Sequence, residues 1–451
     1  MITKNSIHTV NIDSINSSGF GVCRIDGIVC FVQGGVTGDT LQIKIIKAKK
    51  NYTIGRIEKI ISSSPKRREN DCDVFKKCGG CVYRHVKYEE EALFKENIVR
   101  DAFMRIGHFE KVNLKNIISA KNTFRYRNKA QYPVKNENGR IKAGFFAART
   151  HEIVPCEDCL LQPEVFSSIV NEVCLFAEKN NISVYDEKTN RGFLRHIYLR
   201  IAEMTGEIML TIVGTKNSLK NSDKFVEILT EKFPSIKSIV LNVNCEKTNV
   251  ILCEECINLY GDGYITDILC GTKIKISPLS FYQVNRIQAE KLYEKAREYM
   301  GNTKEKTVMD LYCGTGTIGL CTAKDAEKLI GVEIVEQAVE DAKENAFINE
   351  RNNTEFICGD AEKAAVLLKE KNVKPDIIIV DPPRKGLTPQ LIETINFFDA
   401  ERVVYVSCDP ATLARDCEIF ASYGFKIEEA TPVDLFPRTA HVETVALLIK
   451  N

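Results

Sequence analysis

Between residues 8 and 61, apolar and polar positions alternate in short runs, HTVNIDSI, GIVCFVQG, DTLQIKIIKA and YTIGRIEKII, separated by SSGFG, DG and GGVTGD. Period-two alternation broken by Gly/Asp turns predicts several short strands, and their spacing suits a small barrel of the oligonucleotide-binding kind over residues 1–62. SSSPKRRENDCD then reads as a linker. Leu93, Phe94, Ile98, Val99, Ala102 and Ile106 return at steps of three and four, which predicts an amphipathic helix near residues 90–107. Residues 63–275 otherwise mix strand-like and helix-like pieces and read as an α+β region.

From residue 276 onward the rhythm becomes regular. A helix over FYQVNRIQAEKLYEKAREYM precedes the strand TVMDLY, the loop CGTGTIG, a helix, the strand KLIGVE, another helix, and then TEFICGD, PDIIIVD, RVVYVS and ETVALLI. Strands alternating with helices predict a Rossmann-like parallel sheet covered on both faces, with ligands held beyond the strands' carboxyl ends. The expected fold class is therefore multidomain α/β: barrel, central α+β region, and a catalytic α/β domain over 276–451.

The glycine loop carries the first chemistry. Gly314, Gly316 and Gly319 form G-x-G-x-x-G, and Glu333 ends the next strand nineteen residues after Gly314. That pairing lets a nucleotide-like ligand approach the backbone while a carboxylate accepts its ribose hydroxyls. NAD and S-adenosylmethionine both satisfy it. Asp310, inside the strand that feeds the loop, is awkward beside a pyrophosphate and acceptable beside an ammonium group, so methyl transfer outranks hydride transfer. In IIIVDPPRKG, Asp381 ends a strand and two prolines fix the backbone that follows.

The run VVYVSCDPATLARDC places Cys408 where another strand ends. A thiolate beside a methyl donor is what an acceptor carbon too weak to attack unaided requires, and carbon 5 of uracil is such a carbon. The helix starting near Pro410 is expected to lower the thiol's pKa, with Asp409 opposing it. Glu443, at the start of the final strand, is the candidate base, and His441 stands two residues earlier.

With these motifs in order, FYQVN, DLYCGTGTIG, VDPPRKGL, VSCDPATLARD and LFPRTAHVETVALL, the chain resembles the RNA uracil-5-methyltransferases. The resemblance implies Cys408 as nucleophile, Glu443 as base, and Gln283, Tyr312, Glu333 and Asp381, with Gly314 and Gly316, around S-adenosylmethionine. The amino-terminal barrel is similar to the RNA-binding TRAM domain. Arg438 stands out as a departure inside the last motif, and an altered substrate contact is expected there.

Seventeen cysteines in a chain with no apparent export signal point to thiols or metal ligands rather than a disulfide framework. Cys72, Cys78 and Cys81 form C-x5-C-x2-C, while HEIVPCEDC offers Cys156 or Cys159 as a fourth ligand for zinc or an iron–sulfur cluster. The resemblance implies a 4Fe–4S cluster on Cys72, Cys78, Cys81 and Cys159, with Cys156 spare. C-x3-C-x2-C, which a radical methyltransferase would need, does not occur, and the Cys253–Cys256 pair has no partner pair nearby.

The formal net charge is only +1, yet residues 1–70 carry eleven Lys/Arg against five Asp/Glu and residues 111–150 carry ten against one. A basic amino-terminal half suggests a polyanion. Arg125, Arg127, Lys129, Lys142 and Arg149 interleave with Phe124, Tyr126, Tyr132, Phe145 and Phe146, which suits unstacked RNA bases and equally suits a plain strand with a buried aromatic face. No membrane span or signal peptide is evident, so a cytoplasmic site is expected, with RNA as partner and no obligate protein partner. The expected activity is 5-methyluridine formation in 23S rRNA, with transfer RNA as second substrate class and a non-catalytic RNA-binding protein as the competing class.

Overall fold

The computed structural model describes residues 2–450 of the 451. Strands β1 (Ile7–Asn11), β2 (Ser14–Ile15), β3 (Gly21–Ile25), β4 (Ile28–Gln33), β5 (Thr40–Ala48) and β6 (Tyr52–Ser62) form one sheet in the order β1-β5-β6-β4-β3-β2. Alternate residues such as Cys23, Cys30, Val32, Leu41, Ile43 and Ile45 point into its core. Period-two burial of one face is what the alternating sequence demands.

Helix α1 (Tyr88–Arg105) follows. Its buried face includes Phe94, Val99, Ala102 and Phe103 but also Glu91 and Lys95, while Leu93 and Ile106 are exposed. The apolar spacing alone therefore misplaced the face by part of a turn. The reason is ionic: Lys95 Nζ donates to Glu91 Oε1 (2.8 Å) and to Asp434 Oδ1 (2.7 Å), so two charges that look solvent-facing are neutralised inside the protein.

The central sheet contains β7 (Lys129–Glu137), β8 (Arg140–Phe146), β9 (Ile153–Pro155), β10 (Leu194–Ile201), β11 (Ile208–Gly214), β12 (Ile236–Val243) and β13 (Cys256–Tyr260), ordered β13-β12-β11-β10-β7-β8-β9. Helices α2 (Glu164–Lys179) and α3 (Ser222–Lys232) cover one face. From the other face Ala202, Met209 and Val240 join the core of the carboxyl-terminal part, so β10 and β11 are buried almost throughout. Hairpin β14 (Ile265–Leu269) and β15 (Thr272–Ile276) lies in that same core.

The last unit runs α4 (Arg286–Met300), β16 (Thr307–Leu311), α5 (Thr317–Thr322), β17 (Lys328–Glu333), α6 (Glu336–Ile348), β18 (Thr354–Cys358), α7 (Ala361–Glu370), β19 (Ile377–Val380), α8 (Pro389–Phe397), β20 (Arg402–Ser407), α9 (Pro410–Ser422), β21 (Phe425–Val433) and β22 (Glu443–Lys450). Sheet order is β18-β17-β16-β19-β20-β22-β21. The first five strands are parallel, as the alternation predicts; β22 is antiparallel to both β20 and β21. No helix separates β21 from β22, and without a crossover the chain can only return antiparallel. Ser407 at the end of β20 pairs with Thr444 at the start of β22. Cys408 and Glu443 therefore flank one rung of the ladder, although thirty-five residues apart in sequence.

Candidate active site

The cofactor end is built on β16, the loop after it and the end of β17. Tyr312 sits at φ 71°, a left-handed conformation costly for a bulky residue and characteristic of functional turns, and Gly314 and Gly316 share the sign of φ. A Cβ on Gly314 would meet nothing within 4 Å, so that side of the loop is open for a ligand to approach. Gly319 N–H donates to Asp310 Oδ2 (3.0 Å), fastening the start of α5. The other oxygen, Asp310 Oδ1, is buried without a partner, as is Thr315 Oγ1. Burial, then Asp381 and Glu333, raise Asp310 to about 8. An unpartnered buried carboxylate oxygen is where a ligand ammonium or hydroxyl would be stabilised most.

Glu333 is held by Gly314 N–H on Oε2 (3.1 Å) and Val335 N–H on Oε1 (2.9 Å), with Ile334 and Val335 exposed beside it. Gln283 is buried ahead of α4, its carbonyl accepting from Asn128 Nδ2 (2.9 Å). Tyr293 of α4 ties that helix to α5 through Thr317 (3.3 Å).

At the acceptor end Cys408 is half-buried, Glu443 is 4 % exposed, and Asp381 lies within electrostatic reach of both. The thiol is not activated in the free protein. Burial raises it to about 11, Glu443, Asp381 and Asp409 add to the rise, and Arg384 opposes. The expected help from the α9 terminus is cancelled because Asp409 Oδ1 caps that terminus, accepting from Ala411 N–H (2.9 Å) and Thr412 N–H (3.3 Å). Glu443 is pushed to about 8 by burial and then by Asp381, again opposed by Arg384. Asp381 rises to about 7 through burial. Arg384, in the same turn as Asp381, is the cation that sequence reasoning passed over; its place three residues after the Asp-Pro-Pro start was the available signal. It donates to the His441 ring (3.1 Å), so His441 is engaged by Arg384 rather than by Glu443.

A cleft of about 1080 Å³ opens over Cys408, Arg384 and His441 and runs between α1, with Asn97 and Arg105, and the barrel, with Asn16 and Phe31. The mixed basic and aromatic stretch does not line it. Tyr132 is buried on β7, but Phe124, Arg125, Tyr126 and Arg127 lie in an irregular segment before that strand, where Phe124 is exposed, Tyr126 is buried and Arg125 is engaged by Asp158 (2.7 and 2.8 Å), so the plain-strand reading fails there as well.

Arg438 is no substrate contact. It is buried, and its side chain pairs with Glu91 (3.2 Å).

The five clustered cysteines lie on neighbouring segments: Cys78 bridges to Ala147, and a Cβ on Gly79 would come within 2.9 Å of Ala148 Cα. Cys78 and Cys81 both feel the charge of Cys159, whose thiol is held below the ordinary range first by its hydrogen bond with the Cys156 thiol. Among the described residues, no three His, Cys, Asp or Glu side chains converge tightly enough for a single metal ion. Arg127 Nε and Tyr132 Oη, which interact with Cys81 or Cys159, are buried donors without partners. No described helix is long and apolar enough to cross a membrane.

A family model described as tRNA (Uracil-5-)-methyltransferase matches residues 95–451, and one described as TRAM domain matches residues 3–57. An uncharacterized RNA methyltransferase of Clostridium tetani is 42% identical over 447 residues, covering 99% of this chain and 97% of that protein. One from Bacillus cereus is 43% identical with the same coverage. Among solved structures, the Pyrococcus abyssi tRNA (uracil-54, C5)-methyltransferase bound to S-adenosyl-L-homocysteine superposes with a TM-score of 0.79 at 29% identity, over 98% of this chain and 99% of that one.

Proposed function

The chain belongs to the RNA uracil-5-methyltransferase family, and on that premise we propose that it methylates carbon 5 of uridine in 23S rRNA through a covalent Cys408 adduct, with Glu443 as base. The observation that carries the reading is the meeting of thiol and carboxylate across the β20–β22 ladder, at the carboxyl edge of the sheet and beside the glycine loop.

The residues act in sequence. Cys408 Sγ, once its proton has left to solvent, adds as the thiolate to carbon 6 of the uracil, and the electrons of the double bond move onto the ring as an enolate. S-Adenosylmethionine, when bound, supplies the methyl group that carbon 5 takes up. The Glu443 carboxylate then removes the hydrogen of carbon 5 as a proton; the C5–C6 double bond re-forms as the C6–S bond breaks and the thiolate departs. Glu443, raised to about 8, holds its proton in the free protein at neutral pH and must give it up before this step; once ionised it accepts a proton more readily than an ordinary carboxylate. Asp310 Oδ1, Thr315 Oγ1 and Glu333 offer the acceptors that the donor's amino-acid and ribose groups require, with Gln283, Tyr312, Gly314, Gly316 and Asp381 around them. The target base must leave its helix to reach Cys408, and the cleft between α1 and the barrel leads there.

Cys72, Cys78, Cys81 and Cys159 would hold a 4Fe–4S cluster. Thiols on adjoining segments with unpartnered donors beside them fit an anionic cluster several ångström across better than one ion. The barrel and this cysteine set favour ribosomal RNA; the Pyrococcus enzyme named for transfer RNA favours the second substrate class. Incubating the protein and labelled S-adenosylmethionine with unmodified 23S and transfer RNA, then locating the methylated nucleoside by mass spectrometry, separates them. 5-Methyluridine in 23S RNA is expected; label in transfer RNA alone overturns the substrate, and label in neither overturns the enzyme.

A further inference from the structure

The segment joining β21 to β22 is held in an unusual way. Five consecutive carbonyls each accept a hydrogen bond from elsewhere in the chain: Asp434 from Gln288 Nε2 (3.0 Å), Leu435 from Asn285 Nδ2 (3.0 Å), Phe436 from Lys95 Nζ (3.1 Å), Pro437 from Tyr126 Oη (2.8 Å) and Arg438 from Val82 N–H (2.7 Å) and Tyr83 N–H (3.1 Å). Loops ordinarily leave such groups to water. The donors come from α4 and its cap, from α1, from the irregular segment before β7 and from the residues directly after Cys81.

Arg438 closes this clamp. Its backbone stands at φ 73°, which a long side chain adopts only when its surroundings enforce it. Its N–H donates to Glu91 Oε1 (2.6 Å), Nη1 to Glu91 Oε2 (3.2 Å) and to the Val86 carbonyl (3.2 Å), and Nη2 to Thr123 Oγ1 (3.2 Å). Glu91, Lys95, Asp434 and Arg438 are buried, two acids against two bases. Ala440, two residues on, packs with Tyr83, Val86 and Phe94. Three residues further stands Glu443.

We infer that Arg438 is a positioning residue for the proton abstraction that follows methyl transfer: it fastens the segment that carries Glu443 to α1 and to the residues following Cys81, and so sets where the base meets carbon 5. The inference rests on the reading of Cys408 as nucleophile and Glu443 as base. Neither the thiol nor the glycine loop touches Arg438, so its loss should spare addition and methyl transfer and slow the proton abstraction that frees the enzyme.

Single-turnover reactions with full-length protein, labelled S-adenosylmethionine and an unmodified 23S RNA transcript test this, with the covalent protein–RNA complex followed on denaturing gels. Arg438→Gln should form the complex at the normal rate and release methylated RNA at least about tenfold more slowly, as small displacements of a reacting group do. Arg438→Lys, which keeps the charge and loses the fork, should fall between, and it gives a reading if the first variant melts. Formation and release slowing together, or release unchanged in both variants, overturns the inference. Glu443→Gln run alongside should accumulate the complex most; if it releases normally, the assignment of the base falls first, and the inference with it.

Discussion

At the cofactor end of the cleft, Asp310 and Glu333 meet backbone N–H groups of Gly319, Gly314 and Val335. At the acceptor end, burial raises Cys408, Asp381 and Glu443 alike; Glu443 and Asp381 add to the rise at Cys408, and Asp381 to that at Glu443, with Arg384 as the opposing charge at both. Both ends sit on the carboxyl edge of one sheet, yet in the free chain the first has its acids fastened to backbone N–H groups, with Asp310 Oδ1 and Thr315 Oγ1 left open, and the second has only Arg384 against its acids. A thiol near 11 is almost wholly protonated at neutral pH. Its ionisation must come from what binds, and a sulfonium cation beside two carboxylates is suited to bring it about.

The contrast breaks most severely if the nucleophile is removed. Cys408→Ala should lower methyl incorporation at least about 10⁴-fold while leaving cofactor affinity intact, since loss of a covalent nucleophile is not made up by its neighbours. Glu333→Ala should do the reverse, weakening S-adenosylmethionine about ten- to a hundredfold by calorimetry, the scale of a lost hydrogen-bonded charge, with kcat at saturation nearly retained.

A finer measurement is the pH dependence of iodoacetamide alkylation at Cys408, resolved by peptide mass spectrometry. Its midpoint, near 11 in the free protein, should fall by about one pH unit with S-adenosylmethionine, a shift typical of a nearby opposite charge, and stay in place with S-adenosyl-L-homocysteine, which lacks the sulfonium. Equal shifts with both ligands would dissolve the comparison. The smallest effect is on stability. Because the folded protein holds the Glu443 proton up to about 8, this group's contribution is full below the ordinary carboxyl range and is lost as pH rises through 8. Glu443→Gln should therefore gain on the natural protein between pH 5 and 8, by at most about 1.4 kcal/mol per pH unit, in melting curves.

The parallel strands, the glycine loop and the placement of Cys408 and Glu443 at element ends were legible because each follows from local periodicity and turn chemistry. Features that depend on distant pairing were not. The buried face of α1 was misread because its decisive partner for Lys95 is Asp434, 339 residues away. Asp409's opposition to the α9 terminus was legible, but the thiol's raised pKa was not, because it comes first from burial and then from Glu443 and Asp381, which only the fold brings to Cys408. Arg438 was expected to alter a substrate contact because nothing nearby in sequence announces Glu91.

The position of β22 has a consequence for how the protein folds. β20 and β21 precede it in the chain, yet neither pairs with the other; each waits for β22 to enter between them. The cofactor loop, on β16 and α5, needs no such insertion. A chain on its way to the native state would thus form the glycine loop before Cys408 and Glu443 face each other. Pulse-labelled hydrogen exchange should find the β16 and β17 amides protected before those of β22; the opposite order would refute this sequence of events.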